Sequence, residues 1–113
     1  MNISPALRTA LSGCAVRLHM LSVPIGVETD AVAAVAVAKD PSMATPDALL
    51  AGSPTTVNAA IVLPAGHSRP DALGEAYMAA VIKEGGAAFL MCERLADALK
   101  ATEWCRAAAG GGA

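Results

Sequence analysis

The stretch Ser68–Ala107, which reads SRPDALGEAYMAAVIKEGGAAFLMCERLADALKATEWCRA, carries the clearest structural signals of this chain. Two segments with helical periodicity meet at Gly85-Gly86, and glycine often ends a helix because it adopts the left-handed conformation without a steric penalty. A connection this short favours antiparallel neighbours. The stretch therefore predicts an antiparallel helical hairpin in the C-terminal part of the fold.

The first segment has start signals for a helix over residues 70–84. Ser68 can accept a hydrogen bond from a free backbone N–H of the first turn, and Pro70 has no N–H to leave unpaired there. Asp71 adds a negative charge at the positive end of the helix. The apolar side of this amphipathic helix comprises Leu73, Ala76, Tyr77, Ala80 and Val81.

The second segment also shows an apolar side and a charged side. The apolar stripe comprises Ala88, Met91, Cys92, Leu95, Leu99 and Thr102. The charged side comprises Glu93, Asp97, Lys100, Glu103 and Arg106. We expect the charged side to face solvent and Leu95 to lie in the core, where a charge in its place would cost several kcal/mol, about the penalty for an unpaired buried charge.

Composition indicates one small domain with a thin core. The chain has 113 residues, of which 55% are hydrophobic, 16% charged and 3% aromatic. Much of the apolar content is Ala, which buries little area at about 25 cal/mol per Å², so burial between subunits would add stability. We therefore expect a single globular domain over residues 1–107, a flexible Ala/Gly tail over 108–113, and a homo-oligomer or a protein partner.

The charge and the apolar runs exclude two classes of partner. The net charge is −2 and the eight basic residues are scattered, whereas nucleic-acid binding requires clustered Lys and Arg. The longest apolar run, residues 31–38, is far shorter than the roughly 20 residues of a membrane-spanning helix. We expect neither a nucleic-acid partner nor a membrane anchor, and no cofactor motif is present.

The N-terminal region allows three interpretations. A helix that starts at Ser4-Pro5 fits an apolar stripe, whereas a strand over residues 14–23 fits the alternation of apolar side chains with Arg17 and His19. The third interpretation is a presequence for organellar import. Such presequences are poor in acidic residues, and the first acidic residue of this chain is Glu28.

The three cysteines give no sign of a metal site or a disulfide framework. Cys14, Cys92 and Cys105 lie far apart without C-x-x-C spacing. We expect reduced thiols and a cytoplasmic protein, with organellar import as the alternative.

The middle of the chain supplies the strands. Residues 57–63 are short, apolar and bounded by turn signals, which is typical of a strand. Residues 28–39 form either an Ala/Val helix or a buried strand, and a strand over 14–23 or 31–38 must pair with 57–63. We expect an α+β, helix-dominated fold with a small sheet of two or three strands and the C-terminal hairpin; the alternative is all-α.

The loop over residues 64–70 concentrates the polar functional groups of the chain. His67, Ser68 and Arg69 would lie beside free N–H groups and the positive end of a helix, an arrangement that can bind an anion. The four residues His67–Pro70 also resemble the active-site motif of the phosphocarrier protein of the sugar phosphotransferase system, in which a His at a helix N-terminus takes a phosphoryl group. Gly66 is adjacent to His67 here, whereas one residue separates the two in that family. No function is transferred from this resemblance.

Three functional hypotheses follow from the sequence. The first is a small non-catalytic protein that associates with itself or a partner through the Ala-rich helical hairpin. The second is a small-molecule or anion-binding domain, as an enzyme or without catalysis, that uses His67, Ser68 and Arg69. The third is an open reading frame without selected function, because GC-rich DNA also encodes Ala-rich chains. No catalytic residues and no metal ligands are predicted.

Overall fold

Four β-strands form one mixed sheet in the computed structural model, which describes residues 3–51 and 58–110. In chain order the strands are β1 (Ala15–Gly26), β2 (Thr29–Ala38), β3 (Ala59–Leu63) and β4 (Ala88–Cys92). Their order across the sheet is β1-β2-β4-β3. The β1/β2 and β2/β4 pairs are antiparallel, and β3 lies parallel to β4 at one edge.

The helices of the described residues are distributed along the whole chain. They are α1 (Pro5–Leu11), a short 3-10 helix (Pro41–Met43), α2 (Pro46–Ala51), α3 (Ala72–Lys83) and α4 (Leu95–Ala108). Because α3 connects two parallel strands, β3-α3-β4 is a βαβ crossover unit. Residues 111–113 of the predicted tail lie outside the described residues.

The predicted C-terminal helical hairpin and the sheet of two or three strands are wrong, and so is the all-α alternative. The chain has an α+β fold with a four-stranded mixed sheet. Gly85 ends α3 with a φ of +93°, and the backbone then becomes extended. Residues 88–92 form an inner strand whose five residues are all buried, so the alternation that normally reveals a strand is missing.

The ambiguous N-terminal region contains both a helix and a strand. The Ser4 side chain accepts a hydrogen bond from the Leu7 N–H at 3.2 Å and caps α1, which ends at Leu11. Strand β1 then pairs with β2 in a hairpin whose turn places Glu28 at a φ of +58°. The segment over residues 28–39 therefore contains a strand, Thr29–Ala38, rather than a helix, since β-branched Val packs well on a pleated surface.

The core lies mainly between one face of the sheet and helices α1, α3 and α4. Alternate β2 residues point to this face, and the intervening ones point to a second cluster on the other face. Phe89 and Met91 of β4 belong to the second cluster, against which Met43 and Ala48 pack. Strand β3 lies where residues 57–63 predicted one, and Val57 is outside the described residues.

Candidate functional site

The predicted anion-binding loop lies at the edge of the sheet where β3 and β4 end. Residues 64–71 connect β3 to α3, and residues 93–94 connect β4 to α4. Because β3 and β4 are parallel, both connections and the N-termini of both helices lie at this edge. Ligands of open α/β sheets bind beyond the carboxyl ends of the parallel strands. The side chains at the ends of β3 and β4 therefore determine which ligand could bind there.

Asp71, not Ser68, caps α3, and the expectation that Ser68 does so is wrong. The Asp71 carboxylate accepts a hydrogen bond from the Gly74 N–H at 2.8 Å, and α3 begins at Ala72. His67 is exposed and Ser68 is half-buried, both upstream of the first helical turn. The positive end of α3 is therefore occupied by a carboxylate of the chain itself.

A buried carboxylate from α4 fixes the same loop. Asp97 Oδ2 accepts a hydrogen bond from the Gly66 N–H at 2.8 Å, and Asp97 is only 7% exposed. The expectation that Asp97 belongs to a solvated face is wrong, because its position in the first turn of α4 points it toward the loop. An aspartate near the start of a helix is the sequence signal that could have placed it there.

Arg69 is held on an aromatic ring. Its guanidinium carbon lies 5.0 Å from the centroid of the Trp104 ring, within the range of a cation–π interaction. Trp104 is 5% exposed, and its Nε1 has no hydrogen-bond partner among the described residues. The structure thus brings Arg69 together with Trp104 of α4, a pairing that no sequence spacing indicated.

The outward surface of α3 is apolar, which is unusual for the solvent side of a helix. Leu73 is 81% exposed and Tyr77 46% exposed. The exposed residues of α3 are Ala72, Leu73, Ala76, Tyr77, Ala80 and Lys83, of which only Lys83 is charged. The opposite side of α3, formed by Met78, Ala79, Val81 and Ile82, is buried. Helix α3 is therefore apolar on two sides, and the fold covers one of them.

Helix α4 shows the ordinary arrangement by contrast. Its outward side carries Lys100, Glu103 and Arg106, which interrupt the exposed apolar residues Leu95 and Leu99. The placement of Leu95 in the core is wrong because α4 begins at this residue and turns it outward. The core of α4 is instead built from small residues and Trp104.

The cysteine thiols lie in environments that oppose ionisation. Burial raises the pKa of Cys92 to about 11, with a smaller contribution from the charge of Asp97. Burial also raises the pKa of Cys105 to about 12 and that of Cys14 above its usual range. These thiols stay protonated at neutral pH, whereas a nucleophilic cysteine needs a lowered pKa. Across residues 3–51 and 58–110, no group of three or more His, Cys, Asp or Glu side chains could hold a metal ion.

Compared with known protein families, curated proteins and solved structures, the chain has no significant match. Of the helices in the described ranges, none is long and apolar enough to cross a membrane.

Proposed function

We propose that this protein associates with a second copy of itself through the outward side of α3, defined by Leu73, Ala76, Tyr77 and Ala80 and called the α3 face below. The observation that carries this proposal is that the α3 face has no charged residue, although it is exposed. An apolar side of a helix is normally covered by other parts of the protein or by a partner. A partner on the α3 face would provide that cover.

Two copies of the α3 face are complementary when the helices run antiparallel about a two-fold axis. Leu73 then lies against the partner's Ala80, and Tyr77 crosses close to the axis. The small side chains of Ala76 and Ala80 allow the helix axes to approach to about 8 Å, the lower end of the usual range. A symmetric pairing of this kind needs only one self-complementary surface.

Charge supports the antiparallel direction. Asp71 precedes the first turn of α3 and Lys83 is its last residue. In the antiparallel pair the end of α3 that carries Lys83 and Glu84 approaches the partner's Asp71, whereas a parallel pair would place the two Lys83 side chains together. Because these groups are exposed, each such pair contributes at most about 1 kcal/mol and mainly selects the orientation.

The contact is small, so the association should be weak. Helix α3 has 12 residues and spans about 18 Å at 1.5 Å per residue. Such a helix pair buries less than the roughly 1,200 Å² of a standard stable interface. We therefore expect a monomer–dimer equilibrium in the micromolar range rather than an obligate dimer.

We also propose a protein partner rather than nucleic acid, and a cytoplasmic location. The net charge of −2 and the stacking of Arg69 on Trp104 support a protein partner over nucleic acid. The three free cysteines, two of them buried, support a reducing compartment such as the cytoplasm.

Sedimentation equilibrium tests the proposal. Leu73→Glu and Tyr77→Asp each place a charge on the α3 face, and both variants should be monomeric where the wild type dimerises. Val27→Asp is the matched control, because Val27 is 93% exposed in the β1–β2 turn and undergoes the same change from an apolar to an acidic side chain. The proposal fails if the wild type stays monomeric at high micromolar concentration, or if Val27→Asp disrupts the dimer as strongly as Tyr77→Asp.

A further inference from the structure

A pocket of about 260 Å³ lies between the start of β1 and the end of α4. It is lined by Cys14, Ala15, Val16, Arg17, Arg106 and Ala109. These residues come from the start of β1 and the preceding Cys14, and from the end of α4 and the following Ala109, so the fold assembles the pocket from distant parts of the sequence. Its volume is below the roughly 300–1,000 Å³ of pockets for drug-sized ligands, which limits any occupant to a small molecule.

The pocket is rich in positive charge although the chain as a whole is acidic. Arg17 Nη1 donates to the backbone carbonyl of its neighbour Val16 at 3.3 Å, a contact within its own strand. No ion pair involves Arg17 or Arg106 among the residues that the structure describes. Two arginines that line one small pocket without a carboxylate partner favour a negatively charged ligand there.

A third cation lies at the same end of the β1–β2 hairpin. Ala15 pairs with Ala38, so Lys39 is the next residue on the strand beside Cys14. Burial raises the pKa of the Cys14 thiol, and the Lys39 ammonium lowers it by a smaller amount, which indicates that the charge of Lys39 is felt at the pocket. The thiol remains neutral and donates to the Ala10 carbonyl at 3.2 Å.

Neither of the neighbouring acidic residues, Asp40 and Glu103, lines the pocket. The Asp40 carboxylate accepts hydrogen bonds from the Ser42 N–H at 3.0 Å and from its hydroxyl at 2.8 Å. Glu103 lies one turn before Arg106 on α4, is exposed and does not line the pocket. Two of the last carbonyls of α4, those of Cys105 and Ala107, accept backbone hydrogen bonds from Ala109 and Gly110, and the Ala109 carbonyl that follows the helix accepts one from Gly13. The positive charge of Arg106 in the last turn offsets the partial negative charge of this helix end.

We propose that this pocket binds a small oxyanion, with a phosphate or carboxylate group held between the guanidinium groups of Arg17 and Arg106. Planar guanidinium groups match both kinds of oxyanion through paired N–H···O hydrogen bonds. Lys39 adds long-range attraction. Binding is non-covalent, because the protonated Cys14 thiol is no nucleophile. This site is separate from the α3 face and does not depend on self-association.

An NMR titration with inorganic phosphate, at constant ionic strength, tests the site on the full chain. We expect the amide signals of residues 14–17 and 106–109 to move with saturation at millimolar phosphate or below. Arg17→Gln and Arg106→Gln should each weaken binding by about tenfold or more, because each removes charge-assisted hydrogen bonds to the anion. Both arginines are exposed, so these variants should fold, and their spectra show whether they do.

Arg94→Gln is the matched control, because Arg94 is an exposed arginine at the other end of α4 whose side chain makes no capping hydrogen bond. It should bind phosphate as the wild type does.

A parallel titration with acetate distinguishes the charge of the preferred ligand. Tighter binding of phosphate than of acetate supports a doubly charged ligand, and equal affinity supports a carboxylate. The proposal is overturned if the amides do not move, or if Arg94→Gln weakens binding as much as Arg17→Gln.

Discussion

The Asp97 carboxylate and the Gly66 N–H are joined by a hydrogen bond of 2.8 Å that ties the loop after β3 to the first turn of α4. The bond spans two segments far apart in sequence and is formed by a residue that is almost fully buried. It fixes the position of the loop that carries His67, Ser68 and Arg69. The loop is therefore anchored to α4 at Gly66.

Replacing Asp97 by Ala should lower the free energy of unfolding by about 1–3 kcal/mol, because the Gly66 N–H loses its partner in a partly buried position. Asp97→Asn keeps an acceptor oxygen and should cost less. Urea denaturation measures both changes, with Glu103→Ala as the exposed acidic control on the same helix. Equal stability of Asp97→Ala and Glu103→Ala would show that this hydrogen bond does not stabilise the fold.

The N-cap of α3 gives a second prediction. Asp71→Ala should cost about 1 kcal/mol, whereas Ser68→Ala should leave stability nearly unchanged, since only the Asp71 side chain bonds a helical N–H. Thermal unfolding followed by circular dichroism compares the two variants directly. A larger loss of stability in Ser68→Ala than in Asp71→Ala would show that Ser68 caps the helix instead.

Gly74 lies in α3 where a larger residue has no room. A Cβ at this position would lie 2.8 Å from Pro70 Cβ and 3.3 Å from Asp71 Oδ1. Helix propensity alone predicts that Gly74→Ala stabilises the protein by about 1 kcal/mol. We expect destabilisation instead, because the rigid Pro70 ring and the capping carboxylate must move. A more stable Gly74→Ala variant in urea denaturation would contradict the packing of Pro70 on α3.

The buried thiols predict a loss of stability at alkaline pH. In the unfolded chain the Cys92 and Cys105 thiols ionise near their ordinary pKa of 9.0, whereas in the folded chain the values are about 11 and 12. The folded state then holds more protons, so stability is full below about pH 9 and falls as the pH rises toward 12. Urea denaturation across this pH range should show the fall, and a Cys92→Ala/Cys105→Ala variant should show a shallower one. Equal slopes would contradict the burial of these thiols.

Local signals in the sequence predicted some elements and misled for others. The segment over 70–84 contains α3, and the apolar run over 57–63 contains β3, because turn and cap signals bound each of them. The run over 88–92 fits a helical stripe as well as a strand, because a strand buried on both faces has no polar alternation. The strands that pair with residues 88–92 are distant in sequence, so no local signal could decide between a helix and a strand there.

The site was less predictable for a similar reason. His67, Ser68 and Arg69 are adjacent in sequence, but the groups that engage their loop, Asp97 and Trp104, come from α4. The periodicity of α3 identified Leu73 and Tyr77 as an apolar side without showing that Met78, Val81 and Ile82 form a second one that the sheet covers instead. Which of two apolar sides is buried depends on tertiary packing, which the helical pattern does not contain.

Disulfide cross-linking of α3 tests the proposed dimer most directly. In a Cys14→Ala background, where the remaining cysteines are buried, Tyr77→Cys places a thiol beside the two-fold axis. Two such thiols can bond only if their Cα atoms come within about 7 Å. Mild oxidation at micromolar protein should give a covalent dimer of Tyr77→Cys and leave Glu103→Cys, on the exposed side of α4, monomeric. A monomeric Tyr77→Cys, or equal cross-linking of Glu103→Cys, would contradict association through the α3 face.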